Sequence, residues 1–192
     1  DDFTFAAASW TLTAHEARPG HEMQFAAMVE RGVSLARAIF AFNSVNVEGW
    51  GLYSEWFMLP YMLDDGKLIS LQFRLLRAAR AFVDPELQQG KMTVEQATHI
   101  LENDVVTSPA FAKEETDRFT FRAPGQAVSY FDGFMRLRQL RADVEAAQGA
   151  KFQPKAFHDF ILSQGLLPPD LLRKAVIAHF VSPGSNGVAG SR

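Results

Sequence analysis

Apolar residues recur at helical spacing through most of the chain, and Gly, Pro, Asn and Asp cut that pattern into segments. Residues 3–13 are small, apolar and Thr-rich, and are expected to be partly extended before a helix that carries His15. A second helix is predicted from Pro19 to about Arg31, with Met23, Phe25, Ala26, Met28 and Val29 facing inward and Gly32 closing it. Residues 33–47 then form a turn and a return path. Asn46 is a suitable cap for a helix over 47–63, which Pro60 kinks or stops early. Asp64-Asp65-Gly66 is a turn signal ahead of a long helix over 68–83. Thr93 caps a helix near 94–104, and Ser108-Pro109 starts a short one to about Thr116. Arg118-Phe119-Thr120-Phe121-Arg122 alternates polar with apolar and predicts a brief strand. The longest helix follows Pro124-Gly125, runs over about 126–147 and is closed by Gly149. Helices over 154–164 and 168–180 complete the set, and the Gly- and Ser-rich stretch 182–192 is expected to be disordered. The prediction is a mainly α architecture with little or no β, residues 1–181 forming one region without repeats or an interior linker.

Composition narrows the chemistry. With 47% hydrophobic and 21% charged residues the balance is that of a globular protein. A net charge of −3 and the lack of any basic run argue against nucleic acid as the main partner. No apolar run approaches the length of a membrane span. The chain has no cysteine, so any metal must be held by His and carboxylate, which suits a catalytic zinc site better than a structural one. No signal peptide is visible and no start methionine precedes Asp1, so the chain is expected to belong to something longer, in a compartment the sequence leaves open.

The densest chemistry lies in His15-Glu16-Ala17-Arg18-Pro19-Gly20-His21. Zinc peptidases commonly place two His four residues apart on one helix, with a Glu beside the first. Here the His are six apart. On one continuous helix that spacing turns the two rings ~120° away from each other, and one ion could not take both. Pro19 disfavours helix at Arg18, and Gly20 tolerates an unusual backbone, so the helix is expected to break and let His21 swing back towards His15.

A third ligand is available in Glu48, in Val47-Glu48-Gly49-Trp50-Gly51, although a Glu in a helix's first turn is also favoured by the dipole alone. Glu55, seven residues on, shares its face; it either supports a ligand histidine or is solvated. Glu16 is placed to act as general base. Gln126 and Tyr130 share one face of the longest helix, where Tyr130 either donates to an oxyanion or packs as a core tyrosine. Arg77 is a candidate for gripping a substrate carboxylate, and Arg80–Asp84 is a plausible ion pair. His158-Asp159 suits a structural role.

These motifs form an ordered series: His15-Glu16-x-x-Pro19-Gly20-His21-x-x-Gln24, Glu48-Gly49-Trp50-x-x-Tyr53-x-Glu55, Arg77-x-x-Arg80-x-x-x-Asp84, Pro124-Gly125-Gln126-Ala127-x-x-Tyr130-x-x-Gly133 and Phe157-His158-Asp159. The series, over roughly residues 10–180, resembles the bacterial family called domain of unknown function 885. That resemblance implies a helical, zincin-like metallopeptidase. Glu48-Gly49-Trp50 is also similar to the Glu-Gly-Phe that supplies the third zinc ligand of gluzincin aminopeptidases. By this likeness His15, His21 and Glu48 hold zinc, Glu16 is the base and Tyr130 takes the oxyanion role, with Glu55 and Gln126 supporting them. Glu22 and Gln88 stand where the family often has His. Family members are much longer, so the chain resembles their C-terminal, motif-bearing part, and the missing N-terminal part is an expected partner along with a peptide substrate. The expected function is zinc-dependent peptide hydrolysis. The alternatives are a catalytically inactive helical scaffold or partner-binding domain that keeps the motifs, and a hydrolase of non-peptide amides or esters.

Overall fold

A computed structural model describes residues 5–30 and 33–181. Ten α-helices make the framework, and there is no strand among the described residues. In chain order they are α1 (Ala6–Glu16), α2 (His21–Glu30), α3 (Leu35–Phe40), α4 (Ser44–Met58), α5 (Asp64–Gln88), α6 (Val94–His99), α7 (Pro109–Asp117), α8 (Val128–Gln148), α9 (Pro154–Ser163) and α10 (Pro169–Phe180). The expected all-helical character is correct, and no helix among the described residues is long and apolar enough to cross a membrane. Gly32 and the stretch 182–192 lie outside the described residues.

Several local expectations are corrected. The lead-in to His15 is already helical from Ala6. Asn43, not Asn46, caps α4: its backbone is extended and its side chain accepts from the Asn46 N–H at 3.0 Å. Asn46 is instead buried in the first turn, accepting from Gln24 Nε2 and donating to the Leu167 carbonyl. Asp64 and Asp65 open α5 rather than forming a turn, since two carboxylates in a first turn complement the helix dipole. The predicted strand is a π-helical turn over Arg118–Arg122 that continues α7, marked by the bond from Ala123 N to the Arg118 carbonyl at 2.8 Å. On α2 the inward side is Gln24, Ala27 and Met28, whereas Phe25 and Val29 face out.

Four helices set the plan. α4 packs along α8, α8 along α5, α5 along α1 and α1 back against α4, which closes a ring. Buried positions on α8 (Tyr130, Gly133, Leu137, Leu140, Val144) and on α5 (Phe73, Arg77, Arg80, Asp84) repeat every three or four residues, giving each helix a continuous inner stripe. The α4–α8 crossing is a main-chain contact. A Cβ on Gly49 would lie 2.6 Å from the Gly133 Cα, and one on Gly133 would lie 2.0 Å from the Val45 carbonyl oxygen. Only glycine permits that approach.

Most of the apolar burial falls in two large clusters, beside a small third of Met28, Val47 and Leu166. One cluster joins α4 and α8 to α9 and α10 through Trp50, Tyr53, Phe134, Phe157 and Val176. The other joins α5 to α6, α7 and the Arg118–Arg122 turn through Leu76, Val83, Ala97, Ala112 and Phe119. Within the four-helix ring lie buried polar groups contributed by α1, α4 and α5: Thr11, His15, Glu55, Ser70 and Arg77. Buried charge is costly unless paired, so this seam must be internally satisfied.

Candidate metal centre

The break between α1 and α2 assembles the site. α1 ends at Glu16, the Arg18–Pro19 peptide is cis, and α2 starts at His21. Gly20 turns back onto the end of α1 so tightly that a Cβ there would meet the His15 carbonyl oxygen at 1.8 Å. The turn is tied to α4, because the Pro19 carbonyl accepts from Trp50 Nε1 at 2.9 Å and from Ser54 Oγ at 3.3 Å. The outcome is the expected convergence: the His15 and His21 rings stand edge to face with centroids 4.7 Å apart.

Glu48 faces both rings. Its Oε2 lies 3.5 Å from His15 Nε2 and 3.6 Å from His21 Nε2. Glu16 sits at the exposed end of α1, and one carboxylate oxygen lies with one nitrogen of each histidine inside a 4.8 Å group. Two carboxylates thus share one pair of imidazoles, one half-buried and braced, the other open to solvent.

The bracing comes from neighbouring helices. His15 Nδ1 contacts Glu55 Oε1 at 2.7 Å, and Glu55 also accepts from Thr11 Oγ1 at 2.7 Å and pairs with Arg77 at 3.6 Å. Glu55 is therefore a buried partner of His15, not a solvated residue. His21 Nδ1 is buried without a hydrogen-bond partner. Burial alone would lower the pKa of His15, but its hydrogen bonds to Glu48 and Glu55 prevail and raise it to about 9. Burial would raise Glu48, and its hydrogen bonds to His15 and His21 instead bring it down to about 2. A pKa of about 9 keeps His15 charged at neutral pH, between the carboxylates of Glu48 and Glu55.

On the far side, Gln126 Nε2 reaches Glu48 Oε1 at 3.4 Å and Ser44 Oγ at 3.3 Å, while its carbonyl accepts from Arg118 Nη2 at 2.6 Å. The same Arg118 nitrogen donates to the Tyr130 hydroxyl at 3.1 Å. The Tyr130 ring stacks on His15 at 6.2 Å. All the residues expected at the site are therefore brought together: His15, Glu16, His21, Glu48, Glu55, Arg77, Gln126 and Tyr130.

Arg118 reaches the site from the π-helical turn that stands in place of the expected strand. Its spacing from Gln126 is a signal only if the π turn is known. The expected Arg80–Asp84 pair does not form. Arg80 forks onto Glu115 at 2.5 and 2.6 Å, and Asp84 accepts the N–H groups of Gly125 and Ala127 at 2.8 and 2.9 Å, which fixes the loop carrying Gln126. The two departures from the family pattern have other partners. Glu22 pairs with Arg18, and Gln88 donates to the Phe119 carbonyl at 2.7 Å. His158 is structural, its Nε2 2.9 Å from the Tyr53 hydroxyl.

The family described as bacterial protein of unknown function (DUF885) matches residues 2–176. The chain belongs to this family. Among solved structures it is similar to a candidate lipoprotein of unknown function from Shewanella oneidensis, at 28% identity and a TM-score of 0.79 over 87% of this chain. It is similar also to a candidate lipoprotein from Colwellia psychrerythraea, at 33% identity and a TM-score of 0.83 over 88% of this chain. The chain spans 31% and 30% of the length of those two structures. No curated protein sequence matches it.

Proposed function

We propose that this region is the catalytic part of a zinc-dependent peptidase, with His15, His21 and Glu48 as ligands. The observation that carries the proposal is the position of Glu48 at 3.5 and 3.6 Å from the two imidazole nitrogens. In a tetrahedral site with ligand bonds of about 2.0–2.1 Å, ligand atoms stand ~3.3 Å apart. The donor set fits zinc in chemistry, with two imidazoles and a carboxylate, and His15 is oriented by Glu55 as ligand histidines usually are. A bound zinc would supply Lewis acidity and bring the pKa of water down to ~7.

The chain's own groups have matching tasks. Glu16, exposed beside both histidines, accepts the proton of the attacking water and passes it to the leaving amine. The Tyr130 hydroxyl accepts from Arg118 and so keeps its own proton to donate to the developing oxyanion. Glu55 and Gln126 hold His15 and Glu48 in place.

The decisive experiment is Glu16→Gln in the full-length protein, scored by zinc content and by hydrolysis of a peptide library. Stoichiometric zinc with a loss of kcat of about 10²–10⁴-fold is expected. Near-normal kcat with zinc bound would refute the assignment of Glu16 and the hydrolytic mechanism.

A second reading is favoured by one observation. Without metal the His15 imidazolium is already satisfied by Glu48 and Glu55, as befits a non-catalytic helical scaffold that binds a partner. Full-length protein without zinc, and unchanged in stability by added zinc, would support that reading over the peptidase.

A further inference from the structure

A cavity of about 490 Å³ opens between α5, α7 and the π turn. Its walls carry four guanidinium groups, Arg77, Arg80, Arg118 and Arg122, against two carboxylates, Glu114 and Glu115. Arg77, Arg80 and Glu115 are buried, while Arg122 and Glu114 are exposed, so charge runs from floor to mouth.

The guanidiniums are not equally committed. Both limbs of Arg80 are taken by Glu115. Arg77 pairs with Glu55, yet its Nε is buried without a hydrogen-bond partner. Arg118 gives Nη2 to Gln126 and Tyr130, and its Nη1 makes only a loose 3.6 Å approach to Glu115. Arg122 makes no ion pair among the described residues. The π turn, whose bonds close over five residues, brings Arg118 and Arg122 to the same wall. Positive charge therefore exceeds negative charge, and two partly free forks sit where an anion can enter.

The cavity also adjoins the histidine pair. Tyr130 has His15 stacked against it at 6.2 Å, and the guanidinium carbons of Arg77, Arg80 and Arg118 lie 5.8, 5.1 and 5.6 Å from its ring centroid. A peptide advances about 3.4 Å per extended residue, so a few residues span from one side of that ring to the other.

We propose that this cavity is a subsite for a carboxylate of the substrate, gripped by Arg118 and Arg122 a few residues from the bond under attack. Planar forks match a carboxylate in two-point geometry. The inference rests on the peptidase reading for the substrate being a peptide, but not for the recognition of the anion. The carboxylate can be the C-terminal one or an Asp or Glu side chain, and the test separates them.

Binding is measured in the full-length protein carrying Glu16→Gln, by fluorescence anisotropy with four otherwise identical labelled peptides. These have a free or amidated C-terminus, combined with an internal Glu or Gln. One carboxylate source is expected to tighten binding about tenfold or more, as a charge-assisted bond does. Which source does so identifies an exo-acting or an acid-selective site. Arg122→Ala should shrink that preference while leaving the affinity of the fully neutral peptide unchanged, and Arg118→Lys should shrink it independently. Equal binding of all four peptides, no peptide binding at all, or a preference that survives both substitutions would overturn the subsite. Carboxylate-dependent binding in a protein whose Glu16-intact form hydrolyses nothing would leave the subsite standing and remove the peptidase. Hydrolysis indifferent to carboxylates would do the reverse.

Discussion

Gly51 faces the His15 ring so closely that a Cβ added there would stand 2.6 Å from Cε1 and 2.7 Å from Nε2. The imidazole occupies the space that any other residue at 51 would fill. Gly51→Ala should therefore displace the ring and weaken zinc binding by roughly tenfold or more, with a cost in stability of about 1–3 kcal/mol from overpacking. Zinc titration monitored by histidine NMR signals is the check, and an unmoved His15 signal with full affinity would show that Gly51 does not set the position of the ring.

Glu55 and Arg77 form the buried ion pair behind His15. Glu55→Leu strands Arg77 and should destabilise by about 3–5 kcal/mol, whereas Arg77→Met leaves Glu55 its His15 and Thr11 partners and should cost less. The double variant should recover a large part, because no uncompensated charge remains between the two sites. A urea-denaturation double-mutant cycle measures this, and strictly additive losses would mean the pair is not coupled. Glu55→Gln, milder in packing, should still cost about 10–100-fold in zinc affinity, through the orientation of His15.

Two histidines shifted in opposite directions should make stability in chelator fall on both sides of about pH 6.5. Burial, followed by the nearby Arg141, pushes His158 down to about 4, so on falling below pH 6.5 the unfolded chain gains a proton that the folded one refuses. Stability is lost on that side between about pH 6.5 and 4. His15 has the opposite sign. Its pKa is raised to about 9, so its contribution is complete below pH 6.5 and is lost as pH rises through 9. Each limb is on the order of 3 kcal/mol. Urea midpoints in chelator at pH 4.5, 6.5 and 9 test this, and His158→Phe should flatten the acid limb alone.

How far the sequence disclosed the site depended on the range of the signal. Pro19-Gly20 is punctuation that any window shows, and the seven-residue step from Glu48 to Glu55 is a property of one helix. Both expectations stand in the structure. Arg118 is different: five alternating residues look the same in a short strand and in a π turn, and only the continuation of α7 decides between them. The mistaken Arg80–Asp84 pair has a similar cause. Four-residue spacing brings the two within reach, but Glu115 and the Gly125 and Ala127 amides are better partners from elsewhere in the chain. Hydrophobicity points Phe25 and Val29 inward, yet the inner side of α2 carries buried Gln24 bonded to Asn46, and both apolar residues face out.

Gly49 and Gly133 press α4 onto α8 with no side chain between them, and Glu48 is the residue next to Gly49. Helix spacing elsewhere varies with the side chains at the contact; at this crossing there are none to vary. Substitutions that enlarge or shrink the neighbouring core should tilt the outer helices without carrying Glu48 away from the histidines. The crossing works as a fixed datum from which the site is measured, so the bulk of the protein is free to diverge in sequence while the spacing of its reactive groups stays constant.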